Sequence, residues 1–157
     1  MNRPLFAYGT LRDPELLAAV LGHAVAPVDR VAAAAPGYRA VPYPRRAYPA
    51  LVAAPGRSAP GLLVHGLSDF DWSVLDGFEG DEYERRSILV LSGGVAADAD
   101  VYWPARHIAT DAPDWQFDDW MANIKPHALV GDGAAAAELR ARLTAAAGGP
   151  GREAGKR

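Results

Sequence analysis

Phe6-Ala7-Tyr8-Gly9-Thr10-Leu11-Arg12-Asp13-Pro14-Glu15 packs the end of a strand, a turn and the start of a helix into one short stretch. Arg3–Tyr8 is aromatic and apolar, and Gly9-Thr10 ends it, so it reads as a first strand. Asp13 supplies an N-cap, Pro14 the first helical position and Glu15 an early acid. Leu16, Leu17, Val20 and Leu21 follow at helical spacing until Gly22 stops the helix. A strand running through Gly-Thr into a proline-led helix presents successive backbone N–H groups, an arrangement that holds anions. Taken alone, it is also an ordinary strand-to-helix turn.

Outward from that unit, the chain of 157 residues has the length of one compact domain. Half the residues are hydrophobic and 22% are charged, which excludes disorder as the overall state. The formal net charge is −3 without a basic cluster, so nucleic-acid binding is not expected. There is no cysteine, hence no disulfide, thiolate nucleophile or Cys metal site. No apolar run is long enough to span a bilayer, and Met1–Gly9 lacks the apolar stretch of a secretory signal. The expectation is a cytoplasmic protein without membrane association. Alanine occurs 32 times and arginine outnumbers lysine 14 to 2, the composition of a GC-rich bacterial genome.

Val25–Val31, Tyr38–Tyr43 and Ala50–Ala54 read as edge strands broken by Pro42, Pro44 and Pro49, and Gly61–Leu67 as a cleaner strand. Ser68 with Asp71 forms a variant capping box, and Leu67 with Trp72 a hydrophobic staple, opening a short helix that Gly77 frays. Tyr83–Leu91 and Val95–Trp103 pair as a hairpin across Gly93-Gly94. Asp114–Asn123 and Ala134–Ala147 are helical, with Gly131-Asp132-Gly133 a lead-in. The domain is expected over 1–147, with 148–157 a disordered tail. Six or seven strands with interspersed helices argue for a mixed α/β sheet, open or closed into a barrel, and against a doubly wound domain.

Leu75-Asp76-Gly77-Phe78-Glu79-Gly80-Asp81-Glu82-Tyr83-Glu84-Arg85 is the second informative stretch. Its acids mostly read as a solvated turn. Glu79 differs, because apolar Phe78 and flexible Gly80 flank it. In a cleft, burial and like charges would raise its pKa toward that of a general base near neutrality.

Tyr8-Gly9-Thr10-Leu11 followed by Leu75–Gly80 and Tyr83-Glu84-Arg85 resembles the gamma-glutamylcyclotransferase-like family, nearest its gamma-glutamylamine cyclotransferase and plant avirulence-induced branch. Ala47–Leu51, Gly61–Leu67 and Ala99–Trp103 extend the likeness over roughly residues 4–123. The resemblance implies an α+β fold, a small mixed β-barrel with flanking helices. It further implies that the amides of Tyr8, Gly9, Thr10 and Leu11 hold a glutamyl group, that Glu79 is the general acid/base, and that Tyr83 and Tyr102 line the site. The implied reaction closes the substrate's α-amine onto its side-chain carbonyl, releasing 5-oxoproline and an amine without metal or cofactor. The loop amides would hold either the α-carboxylate or the oxyanion. The alternative is a non-catalytic protein that binds a small amino acid in the same pocket.

Competing motifs are absent. His23, His65, His107 and His127 have no metal-site spacing and read as structural or surface residues, and there is no nucleophile elbow, phosphate loop or dinucleotide motif. Trp72, Trp103, Trp115 and Trp120 read as core, with Trp103 a candidate pocket floor beside Tyr102. Oligomeric state is left open.

Overall fold

The computed structural model describes the backbone of residues 3–156 and the side chains of residues 3–147. Five strands close into a barrel in the order β1-β3-β2-β4-β5, with β1 Leu5–Ala7, β2 Arg30–Pro42, β3 Pro49–Val64, β4 Tyr83–Ser92 and β5 Val95–Pro104. Closure comes from β1, antiparallel to β3 on one side and parallel to β5 on the other, so the sheet is mixed. Phe6, Leu51, Leu63, Ile88, Val90 and Val101 fill the inside of the barrel. A second cluster lies outside it, between β1 and the helices α1 Pro14–Leu21, α2 Asp69–Glu79, α3 Phe117–Asn123 and α4 Lys125–Lys156.

Local signals produce the helix ends where the chain predicts them. The Asp13 side chain accepts from the Leu16 amide, and Gly22 takes the left-handed conformation (φ 83°) that closes α1. Ser68 and Asp71 complete a reciprocal capping box on α2, and Leu67 and Trp72 share one core cluster. Asp71 Oδ1 also accepts from His23 Nε2 at 2.8 Å, which ties the end of α1 to the start of α2.

Three expectations are corrected. The fragments read as separate edge strands are one long hairpin, β2 with β3, whose ladder runs from Arg30↔Val64 to Pro42↔Pro49. The prolines Pro42 and Pro49 stand at strand ends, where a missing N–H costs little. The ladder jumps from Pro36↔Ser58 to Tyr38↔Ala53, so residues 54–57 oppose Gly37 alone, and this bulge bends the hairpin around the barrel. Gly77 does not fray α2, which continues to Glu79. A Cβ at Gly77 would lie 2.9 Å from Leu139, so its glycine serves the approach of α4. Finally, Gly131-Asp132-Gly133 lies inside α4 rather than leading into it. Extending an existing helix costs each residue only its propensity, far less than nucleating a new one. The tail expected over 148–157 lies outside the residues whose side chains are described.

Among the described residues four polar contacts and the packing of Ala136 hold α4 to the rest. Lys125 Nζ pairs with Asp13 (3.1 Å) and Glu15 (2.6 Å), and Arg140 donates to the last carbonyls of α1, Ala19 and Val20, at 2.8 and 2.7 Å. Ala136 is fully buried against the α1 and α2 cluster. No helix among the described residues is long and apolar enough to cross a membrane.

Candidate active site

The fold brings both motifs to one cavity. Its volume is about 190 Å³, on the order of ten water-sized volumes, which suits a ligand of amino-acid size. Tyr8, Gly9, Thr10 and Leu11 form one wall, while Glu79, Tyr83 and Tyr102 line the cavity from α2, β4 and β5. All seven residues singled out from the sequence therefore share this cavity. It is completed by Tyr48, Pro49, Phe78, Glu82 and Asp132, none of which the sequence marked as site residues.

The loop wall is a 3₁₀ turn, Thr10–Arg12, between β1 and α1. The turn's own hydrogen bonds begin at the Arg12 and Asp13 amides, which donate to Gly9 and Thr10 (both 3.1 Å), so it does not use the preceding amides. Gly9 admits Pro49, which also lines the cavity. A Cβ at position 9 would stand 2.9 Å from the proline ring.

Glu79 is the last residue of α2, and Gly80 behind it, at φ 62°, turns the chain toward β4. Although Glu79 keeps some exposed surface, it lines the cavity, and burial is the main reason its pKa rises from 4.5 to about 8. The charges of Glu82 and Asp132 push in the same direction. The carboxyl-terminal end of a helix disfavours an anion as well. Glu79 has no hydrogen-bond or ion-pair partner among the described residues.

The three tyrosines have already committed their protons. Tyr8 donates to the Tyr102 carbonyl (2.7 Å), Tyr83 to the Pro49 carbonyl (2.6 Å) and Tyr102 to Asp76 Oδ1 (2.8 Å). Burial, the largest cause in each case, raises all three well above the usual phenol range, so they stay neutral. Glu82 is tied down too. It accepts from Arg46 Nε at 2.9 Å and from the Tyr48 hydroxyl, whose pKa is pushed up to about 12, by burial first and then by Glu82. The cavity is therefore a set of fixed neutral phenols around a carboxyl free to exchange a proton. Trp103, a candidate pocket floor, instead packs edge-on against Tyr38.

The missed residues had weak local signals. Glu82 looks like one acid among several in a turn, and Tyr48 sits in a proline-interrupted segment. Asp132 arrives through the tertiary docking of α4, which no local pattern encodes.

Fold and site together define a mixed-barrel protein with a carboxylate-bearing, amide-lined cavity. The family model for gamma-glutamyl cyclotransferase, AIG2-like, matches residues 5–122, and the chain belongs to that family. AIG2-like protein C of Arabidopsis thaliana is 26% identical over 124 residues, covering 77% of this chain and 70% of the relative. Two solved structures share the fold. An Arabidopsis thaliana protein solved in solution superimposes with a TM-score of 0.64 at 21% identity, covering 96% of this chain and 87% of the other. The crystal structure of an AIG2-like protein from Mus musculus gives 0.53 at 22% identity, covering 71% and 84%.

Proposed function

We propose that this protein cleaves a gamma-glutamyl amine or amide, releasing 5-oxoproline and a free amine, with Glu79 as general acid/base. The observation that carries this reading is the unpaired Glu79 carboxyl in the same cavity as the Tyr8–Leu11 loop. The substrate contains its own nucleophile, so the protein has chiefly to fold it into attack geometry and move protons. Its α-ammonium gives one proton to the Glu79 carboxylate. The freed nitrogen pair forms a bond to the side-chain carbonyl carbon, and the carbonyl electrons move onto oxygen. When those electrons return, the bond to the departing nitrogen breaks as Glu79 hands its proton to that nitrogen. The ring nitrogen gives its remaining extra proton to Glu79, which passes it on so that the amine leaves as an ammonium and 5-oxoproline keeps one N–H. Amides of the Gly9–Leu11 turn receive the α-carboxylate or the transient oxyanion. Tyr8, Tyr83 and Tyr102 shape the cavity and keep bulk water out.

The raised pKa of Glu79 fits this role. In the empty cavity at neutral pH the carboxyl is largely protonated, and an arriving ammonium favours its ionised form, so the base is generated where substrate sits. The test is to incubate the full chain with a panel of gamma-glutamyl amines, amides and amino acids and to follow 5-oxoproline. Equimolar 5-oxoproline and amine are expected from at least one of them. Binding by calorimetry with no 5-oxoproline from any would leave a binding protein and refute the enzyme.

A further inference from the structure

The cavity has an unbalanced charge. Among the described residues three acids line it, Glu79, Glu82 and Asp132, and no lysine, arginine or histidine does. Glu82 is compensated by Arg46 outside the cavity. Glu79 and Asp132 have no hydrogen-bond or ion-pair partner among the described residues. Asp132 is half-buried and is carried by α4, beyond the segment that the family model matches. The α4 anchors at Lys125 and Arg140 flank it on both sides, so its place over the cavity is built rather than incidental.

A gamma-glutamyl head group brings one anion and one cation. Its carboxylate can go to the loop amides, and its ammonium must lie against Glu79 to lose a proton. With both head-group charges met, Asp132 is left as the uncompensated acid among the described lining residues, available to the rest of the substrate. A neutral departing group would strand this carboxylate in a partly desolvated site, which is costly, whereas a cationic one would neutralise it.

We propose that Asp132 is a specificity-determining residue that selects substrates whose departing amine carries a second positive charge, a gamma-glutamyl diamine or polyamine, by pairing with that distal ammonium. The inference rests on the cyclotransferase reading and deepens it.

The test compares N-γ-glutamyl diaminobutane with N-γ-glutamyl pentylamine, near-isosteres in which a methyl replaces the distal ammonium. Wild-type protein should prefer the diamine by about tenfold in kcat/KM, as expected for one partly buried charge pair. Asp132→Asn should bring that ratio to within about twofold, and Asp132→Glu, which keeps the charge, should retain most of it. Calorimetric binding of the same two compounds to Glu79→Gln, with and without Asp132→Asn, gives the ratio independently of turnover. An equal loss on both compounds would place Asp132 against the shared α-ammonium and overturn the proposal, as would a wild type that shows no preference. Failure of both compounds to yield 5-oxoproline would count against the cyclotransferase reading for this substrate class, while the binding ratio would still decide the role of Asp132.

Discussion

Replacing Glu79 by Gln is expected to lower turnover by about 10²–10⁴-fold while leaving substrate binding within a few-fold of wild type. Gln keeps the length and a hydrogen-bonding carbonyl, so the cavity wall persists, but it cannot take the ammonium proton. Among the other described lining groups only Asp132 is also an unpaired carboxyl. The protons of Tyr8, Tyr83 and Tyr102 are engaged by protein acceptors, and Glu82 is held by Arg46 and Tyr48. Steady-state kinetics with calorimetry on the same substrate separate the two effects. A variant within twofold of wild type in kcat would remove Glu79 from the mechanism.

The same substitution should stabilise the fold, and increasingly so as pH rises. Glu79 has a folded-state pKa of about 8 against an ordinary 4.5. Below pH about 4.5 both folded and unfolded states hold the proton, and the site costs nothing through ionisation. Between those two values the unfolded chain has released a proton that the folded chain retains, so stability falls as pH rises. Above about 8 the folded protein carries the full cost of a poorly solvated carboxylate. Glu79→Gln removes that dependence. Allowing for solvent in the cavity, the variant should gain about 2–3 kcal/mol over wild type at pH 9 and little at pH 4.5. Urea unfolding at the two pH values measures the difference. A pH-independent difference would mean that the carboxyl is well solvated, contrary to the site described above.

The parts of this molecule that depend on neighbours in sequence are legible without coordinates. Asp13, Gly22 and the Ser68–Asp71 box act within one helical turn, and each helix end falls where those residues put it. The Gly93-Gly94 hairpin is equally local, with both glycines at positive φ. The β2–β3 hairpin resists such reading because Ala32–Ala35 lacks the β-branched residues that mark a strand, and because its register shifts at Gly37. What identifies it as strand is a partner 20 to 30 residues away along the chain. Glu79 could be singled out through its apolar and glycine neighbours. Asp132 could not, since two glycines beside it lower local helix propensity, and only Lys125, Leu139 and Arg140 together bring it over the cavity. The site is thus half local motif and half docking.

The chemistry of this cavity depends above all on the Glu79 carboxyl being a proton-exchanging group held largely neutral in the free protein. Carbon-detected NMR of side-chain-labelled protein, with Glu79→Gln to assign the resonance, follows that carboxyl through a pH titration. The expected result is a midpoint near 8 in the free protein. It should move down when a gamma-glutamyl ligand brings its ammonium into contact. A midpoint near 4.5, unmoved by ligand, would describe an ordinary solvated glutamate and would contradict both the cavity electrostatics and the chemistry built on them.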